Sequence, residues 1–162
     1  MDRRQFSATT LSLLGGPANC SGETLENGER SWSVAVIGHT GRGDYGHGLD
    51  TVWRHVPSAT VKGIADADAT GLARELIKLG LNPEQGYSDY RLMLREVRPD
   101  IVAICPRHVD QHRDMILAAV NAGAKGIYVE KPFVQTLKQL DEVVKACRKS
   151  GVKLAVAHRN RY

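Results

Sequence analysis

From Trp32 onward, short apolar runs alternate with longer stretches of helical periodicity. SVAVIG is an apolar run ended by glycine and reads as a buried strand. Gly46–Val56 carries a helical pattern stopped by Pro57. ATVKGIAD, rich in β-branched and small residues, reads as a second strand. Ala69–Leu79 is helical by pattern, with Gly80 as its C-terminal stop. Asp89 is placed to cap a helix running towards Val97, ahead of Pro99. DIVAIC is a third strand. Val109–Ala122 is the clearest helix, with Ile116, Leu117, Val120 and Asn121 at helical spacing and Gly123 closing it. GIYVE is a fourth strand. Thr136 can cap a helix through Lys149, whose Leu137, Leu140, Val143, Val144 and Cys147 share one face. Gly151 ends that helix, and VKLAVAH is a fifth strand.

Strands that are apolar throughout need cover on both faces, and their alternation with amphipathic helices implies a parallel sheet. The expected fold is therefore α/β: a doubly wound parallel sheet of the Rossmann type, helices on both faces, built as a single domain from residues 31–162.

Residues 1–30 break this pattern. Arg3 and Arg4 precede Phe6 and a short, mostly uncharged stretch to Leu14, which resembles a twin-arginine export signal. The alternative is an untidy or disordered N-terminal tail, because no clean A-x-A cleavage site follows. The first reading implies a periplasmic protein and the second a cytoplasmic one. The apolar part is too short to span a bilayer.

Charge and cysteine usage narrow the function classes. The net charge is +4, but Lys and Arg are scattered among Asp and Glu without a basic stripe or interleaved aromatics, which argues against nucleic-acid binding. Cys20, Cys105 and Cys147 share no short spacing, so neither a zinc pattern nor a redox CxxC is present, and no metal site is expected.

The chemistry concentrates after the strands. GHTGRGDYGHG leads out of the first strand. A diphosphate needs backbone at close range, N–H groups aimed inward and a helix N-terminus behind them. In one register of a G-x-G-x-x-G loop, Gly38, Thr40 and Gly43 take the glycine positions, with Thr40 replacing the middle glycine; His39, Gly41 and Arg42 fill in around them. In the other, Gly41, Gly43 and Gly46 match in full but start three residues late. The first is preferred, since the first glycine should end the strand. Asp66 closes the second strand, where a carboxylate accepts hydrogen bonds from an adenosine ribose and repels a 2′-phosphate. That favours NAD over NADP, although Arg42 can pair with such a phosphate. Pro106, Arg107 and His108 follow the third strand, and Glu130, Lys131 and Pro132 the fourth; loops at those strand ends line the ligand crevice of a parallel sheet. A lysine near a nicotinamide can polarise a substrate hydroxyl or exchange a proton.

VAVIGHTGRG, GIADADA, SDYRLMLREVRPDIVAICP, HRDMILAAVNAGAKGIYVEKPF and AHRNRY together resemble the glucose–fructose oxidoreductase / inositol dehydrogenase (Gfo/Idh/MocA) family, over roughly Trp32–Tyr162. The resemblance implies an NAD(P)-binding domain of an oxidoreductase acting on a sugar, cyclitol or related polyol. It implies cofactor contacts from Gly38, His39, Thr40, Gly41, Arg42, Gly43, Asp66, Pro106, Arg107, His108, Glu130, Lys131 and Pro132, with Lys131 also catalytic. Arg161 and Tyr162 match the family's Arg-aromatic pair. Two features depart: Arg107 stands where an asparagine is usual, and His112 comes about two residues late. The resemblance also implies a second, substrate-binding domain after Tyr162, hence little activity for this chain alone, an exposed apolar docking face, and room for a homo-oligomer in a full-length form. The alternative reading is a non-catalytic dinucleotide-binding or structural module.

Overall fold

A computed structural model of the chain describes residues 30–158. The export-like segment, Cys20 and the Arg161–Tyr162 pair lie outside the described residues.

The strands are β1 (Trp32–Ile37), β2 (Ala59–Ala65), β3 (Gly86–Tyr87), β4 (Ile101–Ile104), β5 (Gly126–Val129) and β6 (Lys153–Val156). The helices are α1 (Ala69–Leu79), α2 (Tyr90–Val97), α3 (His112–Asn121) and α4 (Leu137–Ser150). All strand pairs are parallel, in one six-stranded sheet ordered β3-β2-β1-β4-β5-β6. This is the doubly wound order, whose direction reverses between β1 and β4.

The caps expected at Asp89 and Thr136 form: they accept hydrogen bonds from the first-turn amides of Arg91 and Gln139, and Asp68 caps α1 in the same way through the Gly71 amide. Gly80 and Gly151 end α1 and α4 in the left-handed conformation that glycine adopts without a Cβ penalty.

One face of the sheet is covered by α2, α3 and α4, with Ile37, Met93, Leu94, Ile104, Met115, Ile116 and Val143 in the packed layer. The other is covered by α1 and the β1–β2 connection, through Val36, Leu49, Ile64, Leu72 and Leu76. Trp53 stands edge-on to Tyr128 of β5, the ring centroids 6.4 Å apart, and its indole N–H donates to the Leu49 carbonyl.

Four expectations need correction. The helix expected over Gly46–Val56 is absent: residues 47–51 form successive turns, and only Val52–His55 make a 3-10 turn. Asp44, His47 and Gly48 all take positive φ (51°, 46° and 80°), which a right-handed helix cannot contain. A sixth strand, β3, was not anticipated; it is only two residues long and pairs at the sheet edge. Leu137 is 79% exposed; six residues ahead of buried Val143, it stands about 120° round the helix. The helix expected to begin at Val109 opens with a 3-10 turn, Val109–Gln111, before α3. The other exposed large apolar side chains, Val52, Ile77 and Leu92, lie on separate elements.

Asp100 ties three strand starts together. It accepts from the Ser33 amide (3.1 Å), the Ser33 hydroxyl (2.8 Å) and the Lys125 ammonium (2.5 Å), while its amide donates to Ser33 Oγ. Burial pushes its carboxyl upward, but the Lys125 and Ser33 bonds outweigh this and hold it below the ordinary range. Asp100→Ala is expected to cost about 2 kcal/mol in urea unfolding at neutral pH, the value of a charged hydrogen-bond set. Because the folded carboxyl titrates below its unfolded value, this contribution is full above about pH 4 and fades as the pH falls through the folded value. The wild-type and variant unfolding midpoints should therefore converge in acid.

Candidate functional site

Each loop at the carboxyl edge starts with a ladder hydrogen bond to the neighbouring strand. The amides of Gly38, Asp66, Cys105 and Glu130 donate to Ala65, Tyr87, Ile37 and Ile104. Gly38, Asp66, Pro106 and Lys131 are thereby gathered on one rim, on both sides of the β1/β4 switch point, where a parallel sheet leaves its ligand crevice. A groove of about 200 Å³ opens there, lined by Gly38, His39, Asp66, Ser88, Arg91 and Gln111 among others.

The glycine loop is held down rather than splayed open. Asp66 is 1% exposed. Its two oxygens accept from the Thr40 amide (3.1 and 3.0 Å), the Thr40 hydroxyl (2.8 Å), the Tyr45 hydroxyl (2.9 Å) and the Asp68 amide (3.0 Å). That uses the capacity of a carboxylate. Asp66 therefore anchors the loop, and a ribose hydroxyl reaches it only by exchanging with one of these donors. Tyr45 lies flat against Gly38: a Cβ there would sit 2.0 Å from the ring. Burial, then the Asp66 charge, pushes the Tyr45 phenol well above its ordinary range, so it stays a donor.

Thr40 fills the space at Gly71, where a Cβ would meet its hydroxyl at 1.9 Å. Gly41 (φ 80°) has open space around it, and Gly43 (φ 94°) packs against the Arg107 backbone. Arg42 pairs with Asp110, and Arg107 Nε donates to the Gly43 carbonyl at 2.9 Å. The His108 amide donates to the Arg42 carbonyl, and His39 Nδ1 is 2.6 Å from Gln111 Oε1. The loop after β4 is thus latched to the glycine loop along its length. Arg107 and His108 are themselves exposed, and Pro106 is buried. Among the described residues no α-helix follows the glycine loop directly: the connection on to β2 holds a 3-10 turn instead, and the helix start that touches the loop is that of α1, at Gly71 against Thr40.

Lys131 and Pro132 are exposed and joined by a cis peptide bond. Glu130 is fully buried; it accepts from the Lys131 amide and lies 2.9 Å from His47 Nδ1. It faces inward, against Gly46, whose Cβ would lie 2.4 Å from Oε2. His112, also buried, lies 2.9 Å from the Pro132 carbonyl through Nδ1 and 2.6 Å from the Pro106 carbonyl through Nε2. It joins the loops after β4 and β5.

Sequence reasoning missed Tyr45 and His47, and a buried group behind them. Asp50 and Glu75, each 1% exposed, share Lys78, whose Nζ is 2.5 Å from Asp50 and 2.8 Å from Glu75. Burial, with Asp50 beside it, raises the Glu75 carboxyl, while hydrogen bonds from Glu75 and Lys78 overcome burial and lower Asp50. The signal available was YGHGLD, glycines flanking a Tyr and a His. Among the described residues, no cluster of His, Cys, Asp and Glu is arranged to hold a metal ion, and no helix is long and apolar enough to cross a membrane.

Residues 32–158 match the model of the oxidoreductase family with an NAD-binding Rossmann fold, Gfo/Idh/MocA. The chain belongs to this family. D-apiose dehydrogenase from Paraburkholderia graminis is 33% identical over 108 residues, covering 67% of this chain and 28% of that protein. An NAD-binding oxidoreductase from Klebsiella pneumoniae superposes with a TM-score of 0.64 at 26% identity, over 78% of this chain and 34% of its own. An oxidoreductase from Agrobacterium radiobacter, solved with NAD+, L-tartaric acid and magnesium, has the same fold at 23% identity, with a TM-score of 0.69 over 81% of this chain and 36% of its own. The chain thus spans about a third of the length of these Gfo/Idh/MocA relatives.

The two loop glycines separate conformation from packing. Gly41→Ala should cost about 1 kcal/mol, for its positive φ alone. Gly43→Ala adds a collision with backbone and should cost about 1–3 kcal/mol more. Thermal melting of both variants checks the order.

Proposed function

We propose that this chain is the NAD(H)-binding domain of an oxidoreductase that moves a hydride between the nicotinamide and a hydroxyl carbon of a sugar, cyclitol or related polyol. The observation that carries it is the meeting of the glycine loop, Asp66 and Lys131 on one rim of the sheet, astride the switch point. The dinucleotide would lie along that rim, its adenosine end in the groove beside Gly38 and Asp66. Gly38, His39, Thr40, Gly41, Arg42 and Gly43 would face its diphosphate. Pro106, Arg107 and His108 would border the nicotinamide half, with Glu130, Lys131 and Pro132 at its far side. The dinucleotide, when bound, supplies the hydride chemistry. Lys131 would polarise the reacting hydroxyl as the one exposed cation of that tripeptide. Glu130 and His112 would act indirectly, by fixing the loops that carry Lys131 and Pro106.

NAD is favoured over NADP for two reasons. Asp66 keeps a negative charge at the ribose end, and Arg42, the loop cation suited to a 2′-phosphate, is already paired with Asp110. The substrate class follows the relatives: one is named a D-apiose dehydrogenase, and another, from Lactobacillus casei, a scyllo-inositol dehydrogenase. The first thirty residues would serve as the export signal. A reporter fused to them that stays cytoplasmic in an export-competent cell counts against that.

NADH titrated into the chain should raise its melting temperature, since a ligand at 100 times its Kd adds about 2.7 kcal/mol to the folded state. NADPH should bind more weakly. Equal affinity would reject the NAD preference, and no shift with either would reject the cofactor reading. Oxidation of any polyol in a panel by the loaded chain would exclude the non-catalytic module.

A further inference from the structure

Asp50 and Glu75 come from different elements, Asp50 from the β1–β2 connection and Glu75 from α1, and neither belongs to a motif read from the sequence. Each is 1% exposed. One ammonium stands between them: Lys78 Nζ is 2.5 Å from Asp50 Oδ2 and 2.8 Å from Glu75 Oε1, and its side chain is 45% exposed. Two ionised carboxylates beside one ammonium leave an unpaired negative charge out of water, which is costly unless a proton neutralises it. The geometry also says which carboxyl takes the proton. Lys78 donates a hydrogen bond to Asp50, whereas Glu75 Oε1 is buried and completes none among the described residues despite the nearby ammonium. Charge is therefore better held on Asp50, with Glu75 as the acid.

The groups around the pair hold their own charge states. Lys78 and Arg74 face it from α1, Asp44 and Tyr45 from the connection, Cys105 from beyond β4 and Glu130 from beyond β5; Asp66 lies behind Tyr45, and His47 is bonded to Glu130. Burial pulls the Lys78 ammonium down, but its bonds to Asp50 and Glu75 outweigh this and keep it charged. Burial first, and the neighbouring acids second, push the Cys105 thiol and the Tyr45 phenol well above their ordinary ranges, so both stay neutral. Arg74 and Asp44 form an exposed pair at 3.9 Å, which adds little. That leaves the proton of the Asp50–Glu75 pair as the variable charge between α1 and the connection.

We propose that Asp50, Glu75 and Lys78 form a pH-operated latch between α1 and the β1–β2 connection, closed while the two carboxyls share one proton and loosened when that proton leaves. The connection also carries Tyr45, whose hydroxyl donates to Asp66 and whose ring covers Gly38. Lys78 Nζ lies 5.8 Å from the centre of that ring. The latch therefore sets how firmly the glycine loop is held, whichever ligand the rim takes. Because the folded Glu75 carboxyl titrates above its unfolded value, its contribution to stability is full below about pH 4 and is lost as the pH rises through the folded value.

Two tryptophans report on it. Trp53 lies in the connection, its indole N–H on the carbonyl of Leu49, the residue before Asp50, while Trp32 begins β1 at the amino end of the sheet. The test is a titration of the 13C,15N-labelled 162-residue chain by NMR from about pH 4 to about pH 9, across the ordinary carboxyl and histidine ranges. It reads the Glu75 side-chain carboxyl carbon and both indole signals. The expected result is a Glu75 midpoint above the ordinary glutamate value of about 4.3, a Trp53 shift with the same midpoint, and none in Trp32. Glu75→Gln should abolish that Trp53 shift; His47 and His55 are unchanged in this variant, so any response they cause survives and is told apart. In urea, Glu75→Gln should unfold together with the wild type in acid and at higher denaturant than the wild type above the Glu75 midpoint. Should Glu75→Gln not fold, Asp50→Asn leaves Glu75 alone with Lys78, and the raised midpoint should be lost together with the Trp53 shift. A wild-type Glu75 midpoint at or below the ordinary value overturns the proposal. So does a raised midpoint that Trp53 does not follow, or that Trp32 follows equally, since the shared proton would then not fasten this connection.

Discussion

The in-register ladder of parallel strands is the constraint on which everything else depends. Ile37, Ile104 and Val129 are aligned across β1, β4 and β5, so the residues that follow them emerge side by side. Their amides continue the ladder one step beyond the strands. A register slip of one residue in any of these strands would exchange the side chains of its two covered faces. It would also turn Cys105 or Glu130 from the face under the β1–β2 connection to the opposite one. Burial of Val36, Ala103 and Cys105 against the β1–β2 connection resists that slip.

On this rim, polar groups that face inward do more than those that face out. Asp66, Glu130 and His112 are all buried, and each ties together segments distant in sequence: Asp66 the glycine loop to β2, Glu130 the β1–β2 connection to β5, His112 the loops after β4 and β5. Buried polar groups are tolerated only when satisfied, and these three are. The exposed members of the rim, Arg107, His108, Lys131 and His47, stand over this buried frame, and His47 and Arg107 are bonded into it through Glu130 and the Gly43 carbonyl.

The fold was largely legible because its strands are short, uniformly apolar and punctuated by glycine, and because Asp89, Thr136, Gly80 and Gly151 mark helix ends. The failures share a cause. YGHGLDTVWRHV has helical spacing of apolar residues, but its conformation is decided by tertiary contacts: Tyr45 on Gly38 and Asp66, Gly46 on Glu130, and Trp53 on Tyr128. Apart from Gly38, these partners are distant in sequence, so no local pattern announces them. Asp66 was found as the acid at the end of β2. That it would be saturated by Thr40 and Tyr45 was not, because a carboxylate's neighbours are a property of the folded chain. Lys131 and Glu130 were found as a pair; that Glu130 is buried and Lys131 exposed was not, because both lie beyond the end of β5, where strand alternation no longer assigns faces.

The β1–β2 connection has one further consequence. Where a helix would supply a continuous ladder of amide-to-carbonyl bonds, this segment has turns and a single 3-10 element, held to the sheet by a handful of side chains. Segments with few internal backbone bonds open at lower free-energy cost than the strands beneath them. The part of the molecule that carries Tyr45, His47 and Asp50 can therefore lift from the body of the domain more readily than the strands beneath it, and its amide protons would trade with solvent before theirs.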